Sequence, residues 1–200
     1  MSTSGPRKNT NIQAIYTLGF CGSEAQLNKL STLHDRSEYQ MACLYAHAVS
    51  KTCVDWLIDY FNADIKKLNN ESGNHIPSSA YALGIALHNY TRNDINDKTV
   101  IKLVEKLYNA IKAGSLTTEQ LTSCVLAIGW ICDQRSDTRW NIPSELLEKT
   151  YNLLDDEMWD IYDYAVSEKC EKPVDVACKM INGDVLSDED EQFLLEKLNF

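Results

Sequence analysis

Between residues 41 and 155 the chain alternates two kinds of apolar segment. The first kind is nearly continuous and rich in small side chains, as in Met41-Ala-Cys-Leu-Tyr-Ala-His-Ala-Val49, Ser79-Ala-Tyr-Ala-Leu-Gly-Ile-Ala-Leu87 and Thr122-Ser-Cys-Val-Leu-Ala-Ile-Gly-Trp130. The second kind is striped. Val100, Leu103, Val104, Leu107 and Ile111 recur at spacings of three and four, with Lys102, Glu105 and Lys106 between them. Such a stripe predicts an amphipathic helix with one buried face. A helix of small residues lets a neighbouring backbone come close, which suits the inside of a stack. Val54-Asp-Trp-Leu-Ile-Asp-Tyr-Phe61 predicts a striped partner for the first small-residue segment. The punctuation agrees. Gly114 is placed for a left-handed helix end, Thr117 with Gln120 for a capping box, and Pro77 and Pro143 near first helical turns. Downstream, Glu157 to Glu171 and Asp188 to Leu198 predict two more helices, with Ser187 and Asp190 as a cap for the second. Residues 1–10 predict no structure.

Sliding the chain along itself brings two blocks into register at one offset of 43 residues. Leu83, Gly84, Ile85 and Ala86 then lie over Leu126, Ala127, Ile128 and Gly129. At the same offset Glu105, Lys106, Tyr108 and Asn109 coincide with Glu148, Lys149, Tyr151 and Asn152. Two helices per unit, a small-residue first helix and this period resemble HEAT and armadillo repeats, over about residues 41–155. The resemblance implies an all-α fold of stacked antiparallel helical hairpins, a HEAT-like α-solenoid of about 8–10 helices. Residues 11–200 would form one helical domain. The alternative is a plain helical bundle with a chance echo.

Composition narrows the function classes. No apolar run is long enough for a membrane-spanning helix, and polar residues break the N-terminal stretch where a signal peptide would need an apolar core. The seven cysteines, Cys21, Cys43, Cys53, Cys124, Cys132, Cys170 and Cys178, form no close C-x-x-C pair and several fall on apolar stripes. They read as reduced, buried small side chains in a cytoplasmic protein. Charge is segregated. Residues 1–100 hold nine basic and nine acidic side chains, whereas residues 145–200 hold five basic and sixteen acidic. The tail therefore carries a net charge of −11 and the front half none, which leaves no basic footprint for direct nucleic-acid binding.

Candidate chemistry is thin. The His34-Asp35 pair is shared with HD-type metal phosphohydrolases, but their upstream histidine is missing, since the other three are His47, His75 and His88. His47 and His88 fall in or at the end of small-residue helices, where a half-buried polar residue is the plainer role. No G-x-S-x-G elbow is present, and Gly19-Phe-Cys-Gly22 lacks the lysine of a phosphate-binding loop. The chain is expected to be no enzyme and to need no metal or cofactor.

One tract stands apart, Asp155-Asp-Glu-Met-Trp-Asp160-Ile-Tyr-Asp163-Tyr164. Read as one helix, it puts Asp156, Asp160 and Asp163 on a shared face, where like charges mildly destabilise it. Either this is a solvated face with acids at a helix N-terminus, or it is a binding surface. As a binding surface, Asp155, Asp156, Glu157, Trp159, Asp160, Tyr162 and Asp163 would meet a protein partner bearing lysine and arginine, with the aromatics as anchors. The concrete expectation is a stoichiometric inhibitor or immunity-type protein that covers the basic, nucleic-acid-binding site of its target. A scaffold holding a peptide or helix in the groove of the repeats is the alternative. A third possibility, a HEAT-like DNA glycosylase of the AlkD type, would need a basic concave surface that this composition does not supply.

Overall fold

The computed structural model describes residues 6–33, 39–50, 54–68, 78–89, 95–135 and 140–198. Cys53, His34 with Asp35, His75 and Pro77, all weighed above, lie outside them. The described residues are helical with turns and carry no strand. In chain order the helices are α1 (Pro6–Cys21), α2 (Glu24–Asn28) with a short 3-10 turn (Lys29–Thr32), α3 (Gln40–Val49), α4 (Val54–Leu68), α5 (Ser78–Asn89), α6 (Asp97–Lys112) and α7 (Thr118–Ile131). Then come α8 (Ser144–Asn152), a π-helical turn (Leu153–Glu157), α9 (Met158–Ile161), α10 (Tyr164–Asn182) and α11 (Asp188–Leu198). Helix α1 runs through the second half of the stretch for which the sequence predicts no structure, and residues 1–5 lie outside the described set.

The Thr117 and Gly114 caps fall where the sequence places them, and Asn96 adds one that it does not single out. Asn96 accepts from the Thr99 amide to start α6, and Thr117 and Gln120 form a reciprocal capping box on α7. Gly114 takes φ +69°, a left-handed conformation that side-chain-bearing residues adopt only with strain.

Alternate helices pack on one another in a row: α1 on α3, α3 on α5, α5 on α7, and α7 on α10. Small residues set the spacing. A Cβ on Gly84 would sit 2.7 Å from the Ala127 Cα, and one on Gly129 would sit 3.0 Å from the Ala177 Cα. Only hydrogen atoms at these positions let the backbones meet. Helix α4 leans on α5 and α6 leans on α7. Positions one residue off the 43-residue register lie side by side. The Tyr81 amide donates to Ser123 Oγ and His88 Nδ1 faces the Trp130 carbonyl, both at a chain separation of 42. Lys106 bonds Asn62 and Asn141 bonds Asp97, both at a separation of 44.

The row of helices is apolar on two sides. Towards α4, α6 and α8 lies the main core, where Leu57, Phe61, Leu83, Leu107, Ile111, Leu121 and Ile128 are fully buried. Each contributes roughly 1.5–3 kcal/mol relative to exposure. On the other side, α3, α5, α7 and α10 each supply a pair one turn apart: Met41 and Tyr45, Tyr81 and Ile85, Leu126 and Trp130, Val176 and Met180. Leu186, Phe193 and Leu194, from α11 and the turn before it, complete that second cluster. A third cluster packs Ile15 of α1, Leu27 of α2 and Leu30 of the 3-10 turn on Ala42, Cys43 and Ala46 of α3.

Candidate functional site: the acidic turn

The sequence predicts one helix from Glu157 to Glu171. The structure breaks it. After α8 the backbone takes the π-helical turn at Leu153–Glu157, makes one α turn as α9, and becomes extended at Tyr162 (φ −103°, ψ 149°). Asp163 then starts a new helix by accepting from the Val166 amide at 3.1 Å. Asp156, Asp160 and Asp163 therefore do not share one helical face. Asp156 lies in the π turn, Asp160 in α9, and Asp163 is the N-cap of α10.

The candidate side chains divide clearly. Asp155, Asp156, Glu157, Asp160 and Asp163 are exposed, and Trp159 is 37% exposed with its indole N–H donating to the Asp155 carbonyl at 2.9 Å. Tyr162 is the exception and is corrected here: it is 6% exposed and belongs to the core. Its hydroxyl donates to the Ile111 carbonyl at 2.8 Å, and burial pushes its phenol pKa up to about 12. A buried Tyr whose O–H is satisfied internally has nothing to offer a partner. Tyr164, which the sequence reading passes over as a contact, is 78% exposed, with its hydroxyl 3.4 Å from Glu168. It is the first residue of α10 after the Asp163 cap, where a side chain faces outward.

Glu157 is partly neutralised by Lys112, 3.4 Å away. Asp155, Asp156, Asp160 and Asp163 enter no ion pair among the described residues. Lys149, on the neighbouring α8, instead lies 4.8 Å over the ring of Tyr108. The acid turn thus exposes Asp155, Asp156, Asp160 and Asp163, none in an ion pair among the described residues, together with Trp159 and Tyr164, while Asp163 is engaged as the α10 cap. Holding like charges together without lysines is mildly unfavourable for the isolated chain.

The rest of the acidic tail behaves differently. Asp190 is fully buried, and its carboxylate accepts from Lys172 Nζ at 2.6 Å, Lys179 Nζ at 3.1 Å and the Ser187 amide at 3.0 Å. Burial works against its ionisation, but these donors outweigh it and hold the carboxyl well below the usual range. Lys179 also meets Asp175 at 2.7 Å, and Lys172 meets Glu189 at 3.6 Å. The predicted Ser187 and Asp190 cap is present, with the Asp190 amide donating to Ser187 Oγ at 3.2 Å.

His47 is nearly fully buried and stacks on Trp56 with ring centroids 4.1 Å apart. His88 stands beside Asp133, which Arg135 grips through two side-chain bonds of 2.9 and 2.7 Å. No cluster of three potential metal ligands exists among the described residues. Burial raises the pKa of the Cys43 thiol to about 11 and those of Cys124, Cys132 and Cys178 to about 12, so they stay protonated. No described helix is long and apolar enough to cross a membrane.

The chain matches no family model, no curated protein and no solved structure.

Proposed function

We propose that this chain is a protein-interaction module that docks a partner's basic surface on its acid turn. The observation that carries it is the exposure of Asp155, Asp156, Asp160 and Asp163, none in an ion pair among the described residues, on the same turn as the exposed Trp159 and Tyr164. A cationic partner would relieve the crowding of these charges and bury the aromatics, the usual anchors of interface hot spots. The most concrete form is a stoichiometric inhibitor, such as an immunity-type protein, whose carboxylates occupy a site that otherwise holds nucleic-acid phosphates. A HEAT-like stack is the scaffold that fits this role. Its support is the row of alternate helices and the bonds at separations of 42 and 44, each within one residue of the 43-residue offset.

The test uses purified nucleases with basic substrate channels, assayed with and without one equivalent of the chain. The expected result is capture at low salt, inhibition at equimolar ratio, and release as salt screens the charges. Asp156→Lys with Asp160→Lys should weaken capture at least about tenfold while leaving the fold intact, because both side chains are exposed. The reading fails if no basic nuclease is retained at low salt, or if the double reversal changes nothing.

A further inference from the structure

Helix α11 touches the rest of the molecule through few groups. Leu186 in the turn before it and Asp190 and Leu194 within it are buried, Phe193 is half-buried beside them, and most of the remaining side chains of α11 face solvent. The backbone of α11 stands off, sharing none of the close packings that join α3, α5, α7 and α10. The segment before it closes α10: Gly183 turns the chain at φ +77°, the Gly183 and Asp184 amides donate to the Met180 and Lys179 carbonyls, and Val185 is 91% exposed.

The face beneath α11 is built to hold a helix. Tyr45 donates to the Lys197 carbonyl at 2.9 Å, and Tyr81 is placed to donate to the Leu194 carbonyl at 3.5 Å. These bonds reach the backbone of the last turns, so they accept any helix that ends there. Between the two leucines the contact is a carboxylate held by Lys172 and Lys179 rather than a third apolar side chain. For stability alone, a well-packed hydrophobic residue serves as well as a buried ion pair. A carboxylate buried against two half-exposed lysines does select one register and one sign of ligand.

We propose that the face formed by α3, α5, α7 and α10 is a docking groove for an acidic amphipathic helix of a partner protein. The partner segment carries an apolar residue just before its helix, an Asp or Glu in the first helical turn, and an apolar residue four positions beyond that, as Leu186, Asp190 and Leu194 do here. Helix α11 occupies the groove in cis, and the partner helix displaces it. This groove is separate from the acid turn and does not depend on it. Charge complementarity names the occupant: Lys172 and Lys179 of α10, both half-buried, border an otherwise apolar and aromatic face, and α11 shows the sequence that fits. A tethered helix competes at an effective concentration of order millimolar, so the groove is closed to weak ligands until its own latch is loosened.

The test measures fluorescence anisotropy of a labelled peptide with the sequence of residues 184–198, added to the full chain. Wild-type chain should bind it weakly, and the full-length Leu186→Ala, Leu194→Ala variant at least about tenfold more tightly. The same peptide carrying Asp190→Lys should lose that binding, and a chain with Lys172→Glu and Lys179→Glu should recover it. Equal binding of the two peptides, or no binding by a folded variant, overturns the proposal. Should the variant not fold, hydrogen exchange of the wild-type chain decides. Amides of α11 must exchange at least roughly tenfold faster than those of α7, by an opening that leaves α7 closed. Exchange of both helices together, only on global unfolding, also overturns it.

Discussion

Helices α6 and α8 begin as the same object and end as different ones. Leu103 to Ile111 and Leu146 to Leu154 align without a gap, with Tyr108 and Tyr151 and the Glu-Lys pairs coinciding and Leu107 opposite Thr150 as the chief difference. At the next three positions Lys112, Ala113 and Gly114 stand opposite Asp155, Asp156 and Glu157. In the first unit the glycine adopts a left-handed φ and the helix stops. In the second, three acids carry the chain on through the π turn and one more α turn. The extension folds over the end of the shorter helix: Tyr162 donates to the Ile111 carbonyl, and Glu157 meets Lys112. A Cβ on Gly114 would lie 2.9 Å from Ile161 Cγ2, so the glycine both ends one helix and makes room for the other. The matched parts of the two units build the core, and the first unmatched part builds the exposed acid patch. π-Helical turns of this kind are frequent at functional sites, since the inserted residue re-aims those around it.

The largest effect is expected from making α6 resemble α8 inside the core. Leu107 is fully buried, and its counterpart at the offset of 43 is Thr150. Leu107→Thr removes apolar volume and buries a hydroxyl among leucines, and should destabilise the fold by about 2–4 kcal/mol. Chemical denaturation measures it, and a loss under about 1 kcal/mol would mean that this stretch of the core collapses around the change. A smaller effect is expected at the helix end. Gly114→Ala places a Cβ at a left-handed φ and against Ile161, and should cost about 1–2 kcal/mol. If the thermal midpoint is unchanged, Gly114 is not what separates the two units.

Much of this difference was legible in the sequence. The offset of 43, the Thr117 and Gln120 box and the Gly114 stop lie in local chemistry, and the structure places α5 to α8 accordingly. The break at Tyr162 was hidden for a physical reason. Met158, Tyr162, Val166, Cys170 and Val174 follow at intervals of four and pack in or against the same core. A buried stripe continues across the break, so periodicity alone reports one helix, and only Asp163, a good N-cap residue, marks the restart. Tyr162 lies on that buried stripe, so its spacing from Met158 and Val166 places it in the core, whereas its aromatic ring beside the acids suggests an anchor. Helix α1 was missed because its stripe of Ile12, Ile15 and Tyr16 ends on Gly19, a position filled by the α3 backbone at Ala46 rather than by a side chain. The role of Asp190 was half visible: its capping partner is local, whereas Lys172 and Lys179 reach it from α10, seven residues apart and on one face.

The smallest effect runs in the opposite direction and tests the same pair of positions. Thr150 Oγ1 is buried with no hydrogen-bond partner among the described residues, where α6 places a leucine. A buried donor and acceptor left unmatched forfeits its hydration, and an apolar group of similar shape removes that penalty. Thr150→Val should therefore stabilise the chain by about 1 kcal/mol, a rise of roughly 2–4 °C in thermal midpoint for a domain of this size. Thr150→Ser keeps the hydroxyl and removes the methyl, so it should lower the midpoint. Measured together, the two variants separate packing from polarity. A midpoint that falls with valine would mean that the hydroxyl is satisfied in solution, and that α8 diverged from α6 in its core as well as at its acidic end.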